Sequence, residues 1–233
     1  KQNAMLQNNN EQIIYFNARS VCNKLNELHD ILCGRSGHVY DIICISETWL
    51  YNDFPDSLLL NGSPYTVFRC DRKDRVGGGC AILVHKNIAA SLIIFPEYIN
   101  ASDVQFKAVN IVSGRSSFVL CCLYSPPGVH PNCIKVLCNI TDFISTNYKN
   151  VCFVGDYNLP SLTNCLGGTV NIPSVLSDFV DYILLHSLTQ VVISPTRGDN
   201  VLDLIFCSQF LMHSSVSYSD ILITKTKTKT KII

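Results

Sequence analysis

The sequence predicts an α/β sandwich: two packed sheets covered by helices. Three observations carry this. About eight or nine short apolar runs of strand length are spread along the chain. Three longer stretches place their apolar residues at helical spacing. The two kinds of segment are mixed in order, with hairpin turns between some strands. Such an order buries sheet faces against each other and against helices. At 233 residues with an apolar fraction of 47%, the chain can build a substantial core. It shows no internal repeat or long linker, so one domain is expected.

In chain order, "IIYFN" (Ile13–Asn17) reads as a strand. Val21, Leu25, Leu28 and Leu32 then predict a helix ending near Gly34. "DIICISE" (Asp41–Glu47) is a strand followed by the loop "TWLYNDFPDS". "YTVFRCD" (Tyr65–Asp71) and "CAILVHK" (Cys80–Lys86) are strands joined through "RVGGG". "VQFKAVNIV" and "SSFVLCCLY" read as a hairpin about "SGR". "PNCIKVLCNITDFISTNY" is a helix, and "VCFVG" is the next strand. "PSVLSDFVDYILLHS" is a helix whose Pro173 suits its first turn. "LTQVV" and "NVLDLIFC" are late strands. The expected organisation is a polar extension over 1–12, a domain over 13–222 and a low-complexity Lys/Thr tail over 223–233, disordered from about Lys225.

Composition limits the function classes. Lys+Arg and Asp+Glu are 18 each, and four of the lysines sit in "TKTKTKTKII". The remainder has 14 basic residues, so a strongly basic footprint for nucleic acid is absent. Contact with nucleic acid requires a local patch or metal ions bridging to phosphate. The twelve cysteines are scattered, many inside apolar runs, and no Cys-x-x-Cys pair occurs. They read as reduced small hydrophobes rather than a disulfide framework or zinc site. That favours a nuclear or cytoplasmic protein over a secreted one. The N-terminus lacks the apolar core of a signal peptide. No apolar run approaches the ~20 residues of a membrane span, so no membrane partner is expected. Lys1 in place of Met points to a fragment.

Several strands end on polar residues suited to metal or phosphate chemistry: Asn17, Glu47, Tyr124, and Asp156 with Asn158. Asp203 lies inside an otherwise apolar strand. Each has a plainer reading. Asn17 can cap the following helix, and Glu47 can be a solvated loop acid. Asp156 and Asn158 can form a turn, and Tyr124 can be a strand-end aromatic. Asp203 would be costly to bury unpaired, so it needs a partner, either Arg197 or a backbone amide. Gly77–Gly79 fits a strand-entry turn better than a phosphate cradle, because no Lys-Ser/Thr follows. Taken together, the endings place a rim of functional groups on one end of a rigid scaffold.

"FNARSVCNKLNELHDIL", "DIICISETWL", "FRCDRKDRVGGGCAILV", "LYSPPG", "VCFVGDYNLP" and "SPTRGDNVLDLIF" occur in that order. Together they resemble the endonuclease/exonuclease/phosphatase superfamily, and more narrowly the apurinic-type endonuclease domain of non-LTR retrotransposons. The resemblance spans roughly Ile13 to Phe206. It implies a four-layered, DNase I-like sandwich and Mg²⁺-dependent cleavage of a phosphodiester, with Mn²⁺ as an alternative ion and the DNA backbone as partner. Glu47 matches the metal-binding carboxylate, a hard oxygen ligand. Asn17 matches the amide that orients that carboxylate and the phosphate. Asp156 matches the residue that positions or deprotonates the attacking water. Asn158 and Tyr124 match groups that contact the phosphate, and Asp203 matches a late, buried orienting acid. A reverse transcriptase is expected downstream in an intact element.

One part of the pattern departs. The family ends with Ser-Asp-His and a last core strand, whereas this chain has Ser219, Asp220 and Ile221. Asp220 is the candidate for the family's Asp. Because a positioned acid–base group contributes about 10²–10⁴ in rate, weak or absent nicking is expected. The last strand is expected to be missing, leaving a sheet edge uncovered. A catalytically inactive relic or binding module of the same fold, and a phosphatase of the same superfamily, are the alternative functions.

Overall fold

A computed structural model describes residues 11–73, 75–99, 103–114, 116–168, 171–211, 217–219 and 230–232. Two six-stranded mixed sheets pack face to face, with helices on both outer faces. This is the expected four-layered sandwich.

The first sheet is built from β1 (Ile13–Asn17), β2 (Ile42–Ser46), β3 (Tyr65–Cys70) and β4 (Cys80–His85), with β11 (Ser217–Ser219) and β12 (Thr230–Ile232) at one edge. Its order is β11-β12-β1-β2-β4-β3. The second contains β5 (Ala89–Leu92), β6 (Gln105–Ser113), β7 (Ser116–Tyr124), β8 (Val151–Asp156), β9 (Thr189–Gln190) and β10 (Asp203–Cys207). Its order is β5-β6-β7-β8-β10-β9. The helices are α1 (Leu25–Leu32), α2 (Asp56–Leu60), α3 (Pro131–Asn147), α4 (Leu162–Leu166) and α5 (Ser174–Leu185).

β1 and β2 are parallel through α1, and β7 and β8 are parallel through α3, as a helical crossover requires. The named strand pairs not bridged by a helical crossover are antiparallel.

Alternation along β1 explains the layering. Ile14 and Phe16 face α1 and join the core beneath it, with Leu28, Ile31 and Leu32. Ile13 and Tyr15 point the other way, into the core between the sheets. There they meet Cys44, Ile82, Val109, Leu120, Val154 and Ile205. A third core packs α3, α4 and α5 on the second sheet through Leu137, Ile144, Phe153, Phe179 and Phe206. Central strands covered on both faces read as unbroken apolar runs rather than alternating ones. Nine of the twelve cysteines are buried and all are free thiols, which bears out their reading as hydrophobes. Among the described residues no helix is long and apolar enough to cross a membrane.

The edge expected to be uncovered is occupied. β12 pairs antiparallel with β1, Ile14 opposite Ile232 and Tyr15 opposite Lys231, and β11 pairs with β12. An open strand edge offers backbone donors and acceptors to any extended segment, whatever its side chains. Alternating Thr and Lys favours extension, because Thr is β-branched. Low complexity was therefore a poor guide to these three residues. Asp220 and Ile221 lie outside the described residues.

Smaller differences have local causes. The loop after Glu47 contains α2, which Pro55 enters and Asn61 ends in a left-handed conformation. β5 and α4 are short elements beyond those the sequence predicts. "LTQVV" contributes only Thr189–Gln190 to a strand. Pro173 precedes α5 as its cap and lies outside the first turn.

Candidate active site

The functional rim forms where strands of both sheets end together. Asn17 closes β1, Glu47 follows β2, Tyr124 closes β7, Asp156 closes β8, and Asp203 opens β10 beside it. Tyr124 and Asp156 are opposite partners in the parallel pair, and Asp156 and Asp203 in the antiparallel one. Register alone therefore brings three of the predicted residues side by side.

Asn17 ties the sheets together chemically. Its Nδ2 donates to Glu47 Oε1 at 2.8 Å and to Asp156 Oδ2 at 2.8 Å. Its Oδ1 accepts from the Arg19 backbone at 3.2 Å. The 3-10 turn that leads into α1 has no side-chain cap, so Asn17 serves the rim and not the helix. Glu47 is accordingly not a solvated loop acid; its side chain is only 13% exposed.

Asp156 is fully buried. Burial raises its proton affinity, repulsion from Asp203 and Glu47 adds to this, and Arg197 opposes it. Asn158 sits at φ +52°, donates its backbone N–H to Asp156 Oδ1 at 3.2 Å, and donates Nδ2 to the Ser125 carbonyl at 2.7 Å. Asp156 and Asn158 thus form an Asx-type turn, and one that faces the carboxylate cluster. The turn reading and the site reading hold together. Burial raises the Tyr124 phenol pKa, as do Glu47 and Asp156, while Arg72 lowers it.

Two residues were assigned differently or missed. Asp203 is held by Tyr15, whose hydroxyl donates to its Oδ1 at 2.6 Å and lies 2.7 Å from Ser46 Oγ. Its backbone N–H donates to Thr196 Oγ1 at 3.1 Å. Burial, then Asp203 and Asp156, keep the Tyr15 phenol protonated and so a donor. The signal was the alternation of β1, which sends Tyr15 and Asn17 to one face. Arg197 instead reaches Glu47 Oε1 at 3.3 Å and Asp156 Oδ2 at 3.8 Å. It stands beside a tight turn, bridged to Asn200 across Gly198 at φ +57°. Of the histidines, His186 pairs with Asp142 and His29 contacts carbonyls of Leu58 and Leu59, all away from the rim.

The loop carrying Glu47 is strained and clamped. Glu47 and Trp49 have φ of +50° and +54°, where non-glycine residues are uncommon. Thr48 N–H donates to the Gly79 carbonyl at 3.3 Å, and Trp49 N–H to the Gly78 carbonyl at 2.9 Å. A Cβ on Gly79 would lie 2.4 Å from Thr48 Oγ1, and one on Gly78 2.6 Å from Gln105 Oε1. The glycine run is the expected turn, and it is also the bracket that holds Glu47.

A model of the endonuclease/exonuclease/phosphatase family matches residues 14–220. The chain belongs to this family. Members are generally dependent on a divalent metal. No curated protein sequence matches the chain significantly. Solved structures share the fold. A 3′ phosphatase from Neisseria bound to a product DNA hairpin is 15% identical with TM-score 0.68, over 95% of this chain and 98% of its own. An AP endonuclease from Archaeoglobus fulgidus is 15% identical with TM-score 0.66, over 95% and 98%. A Danio rerio TDP2 complexed with single-strand DNA product is 13% identical with TM-score 0.60, over 95% and 97%.

The donor set fits a divalent cation of this family. Glu47, Asp156 and Asp203 concentrate negative charge, and the donors are oxygens, as hard cations prefer. Among the described residues no three or more His, Cys, Asp or Glu side chains form a cage. A single carboxylate completed by water and phosphate does not require one. The raised proton affinity of Asp156 gives a test. Its folded pKa lies above the ordinary 3.8, so above that value the folded state holds a proton that the unfolded state has lost. Metal-free protein therefore loses stability as pH rises through the ordinary carboxylate range toward the raised value. A bound cation would replace that proton. Divalent metal at about 100 times its Kd should add about 2.7 kcal/mol, or about 5–10 °C in Tm. The gain should be larger near pH 8 than near pH 5, as read by thermal melts in metal and in EDTA. Equal melts in both buffers would contradict the site.

Proposed function

We propose that this chain is a Mg²⁺-dependent phosphodiesterase that nicks DNA, the endonuclease domain of a non-LTR retrotransposon. One observation carries the hydrolytic reading: the Asn17 amide bridges Glu47 and Asp156 across the two sheets. It joins a metal-type carboxylate to a buried base and orients both.

Glu47 would hold the cation, which supplies charge neutralisation at the phosphate. Asp156 takes the proton of the attacking water. Its raised proton affinity makes it a stronger base than an exposed aspartate, and Asp203 sustains this by repulsion. Asn158 has a second amide hydrogen free to donate to a phosphate oxygen, and the Tyr124 phenol supplies another donor. Arg197 adds positive charge beside the same carboxylates. Mn²⁺ would serve in place of Mg²⁺, since both favour oxygen ligands.

The retroelement assignment is supported by the ordered motifs, above all "ISETWL", "GGGCAILV" and "PTRGDNVLDLIF". It carries with it a downstream reverse transcriptase and a nuclear or cytoplasmic site of action. Ile221 in place of the family's His favours a second reading, a domain that retains the fold and metal site with little turnover. Supercoiled plasmid with Mg²⁺ tests both. Slow Mg²⁺-dependent nicking is expected, about 10²–10⁴ below a family member with an intact Ser-Asp-His. A rate equal to such a member would refute the impairment. Nicking that EDTA does not abolish would refute the metal-dependent reading, and release of phosphate from a 3′-phosphorylated oligonucleotide without nicking would favour the phosphatase.

A further inference from the structure

Affinity for DNA poses a problem in this chain. Its net charge is zero, so phosphate attraction is confined to local cations such as Arg72 and Arg197. A ring at the rim would supply the missing contact. Trp49 meets the requirement. It lies two residues beyond Glu47; both residues have left-handed φ, the Glu47 side chain is only 13% exposed, and the indole is 38% exposed. Backbone bonds to Gly78 and Gly79 clamp the loop. The indole Nε1 lies 3.9 Å from the Cβ position of Gly77, while the Tyr124 ring lies 3.0 Å from that of Gly78. Trp49 and Tyr124 therefore both border the same glycine turn. The indole is thus partly open to solvent on a loop whose backbone is held in place.

We propose that Trp49 is a stacking platform for a nucleobase of the strand whose phosphate sits at Glu47 and Asp156. Every base presents a π-face, so such a contact is tolerant of sequence. The inference rests on DNA being the substrate, and the experiment separates the two claims. Trp49 is the one tryptophan in the chain, so intrinsic emission reports on it alone. Fluorescein-labelled single- and double-stranded oligonucleotides are titrated with Ca²⁺ in place of Mg²⁺ to suppress cleavage. Anisotropy reports binding, and tryptophan emission reports stacking. Emission should be quenched and should saturate together with anisotropy. Trp49→Ala should weaken binding by about 10-fold, with an unchanged salt slope because no phosphate contact is lost. Trp49→Phe should bind within about threefold of wild type. Binding without a change in Trp49 emission, or an unchanged Kd for a folded Trp49→Ala, overturns the platform and leaves the DNA reading standing. Absence of binding by anisotropy overturns both. If Trp49→Ala does not fold, the emission of wild type decides alone.

Discussion

Asp156→Asn should lower Mg²⁺-dependent nicking by about 10²–10⁴-fold, with enzyme in excess and long incubation to register a slow wild type. The substitution keeps the shape and an oxygen that can still accept from Asn17 Nδ2, now 2.8 Å from Oδ2. It removes the negative charge and the ability to take a proton, and it turns the oxygen that accepts from the Asn158 backbone into an amide nitrogen. Wild-type rate should rise with pH as Asp156 ionises, and the variant should lose that dependence. Stability should move the other way. Without metal, ionising Asp156 as pH rises costs stability, because burial, Asp203 and Glu47 all disfavour the carboxylate. An amide relieves that repulsion, so the variant should melt higher in EDTA near pH 8. The advantage should shrink as pH falls and wild type keeps its proton. Loss of activity with gain of stability is the mark of a residue retained for chemistry. A variant that nicks at the wild-type rate would remove Asp156 from the mechanism.

Gly155→Ala should destabilise the protein by about 3 kcal/mol and lower Tm by about 6–12 °C. The reason is approach, not backbone strain. Gly155 lies opposite Leu123 in the parallel pair, and an added Cβ would fall 2.1 Å from the Leu123 carbonyl oxygen and 2.9 Å from its carbon. Both are backbone atoms between buried strands, so neither can swing aside. Relief requires β8 to move from β7 one step before Tyr124 faces Asp156, so nicking should fall as well. Urea unfolding followed by circular dichroism measures the effect. A midpoint equal to that of wild type would show that the strands tolerate separation.

The sites of these predictions differ in how far they could be read from the chain. Strand ends carrying Asn17, Glu47, Tyr124, Asp156 and Asn158 were legible because a carboxylate or amide closing an apolar run is a local pattern. The two central parallel units were legible for a similar reason: each is a strand, a helix and a strand contiguous in sequence. The partner of Asp203 was not. Arg197 is near in sequence and was a natural choice, but β10 directs Asp203 between the sheets, where Tyr15 lies 188 positions away. Arg197, on its turn, reaches Glu47 and Asp156 instead. Thr230–Ile232 form a strand that composition did not predict, because composition describes side chains while an open strand edge recruits backbone.

Sequence alone thus determined the layers, the order of most elements, the thiol state of the cysteines and the identity of most groups at the rim. Each follows from short-range periodicity or from burial of residue types. Tertiary structure decided what those groups do to one another. Asn17 became a bridge, Asp156 a buried carboxylate, Asp203 a tyrosine-held neighbour and Trp49 an exposed ring on the Glu47 loop. Those roles depend on distances of about 3 Å between residues far apart in the chain. Such distances are set by strand register and by the packing of one sheet on the other, which no local pattern encodes.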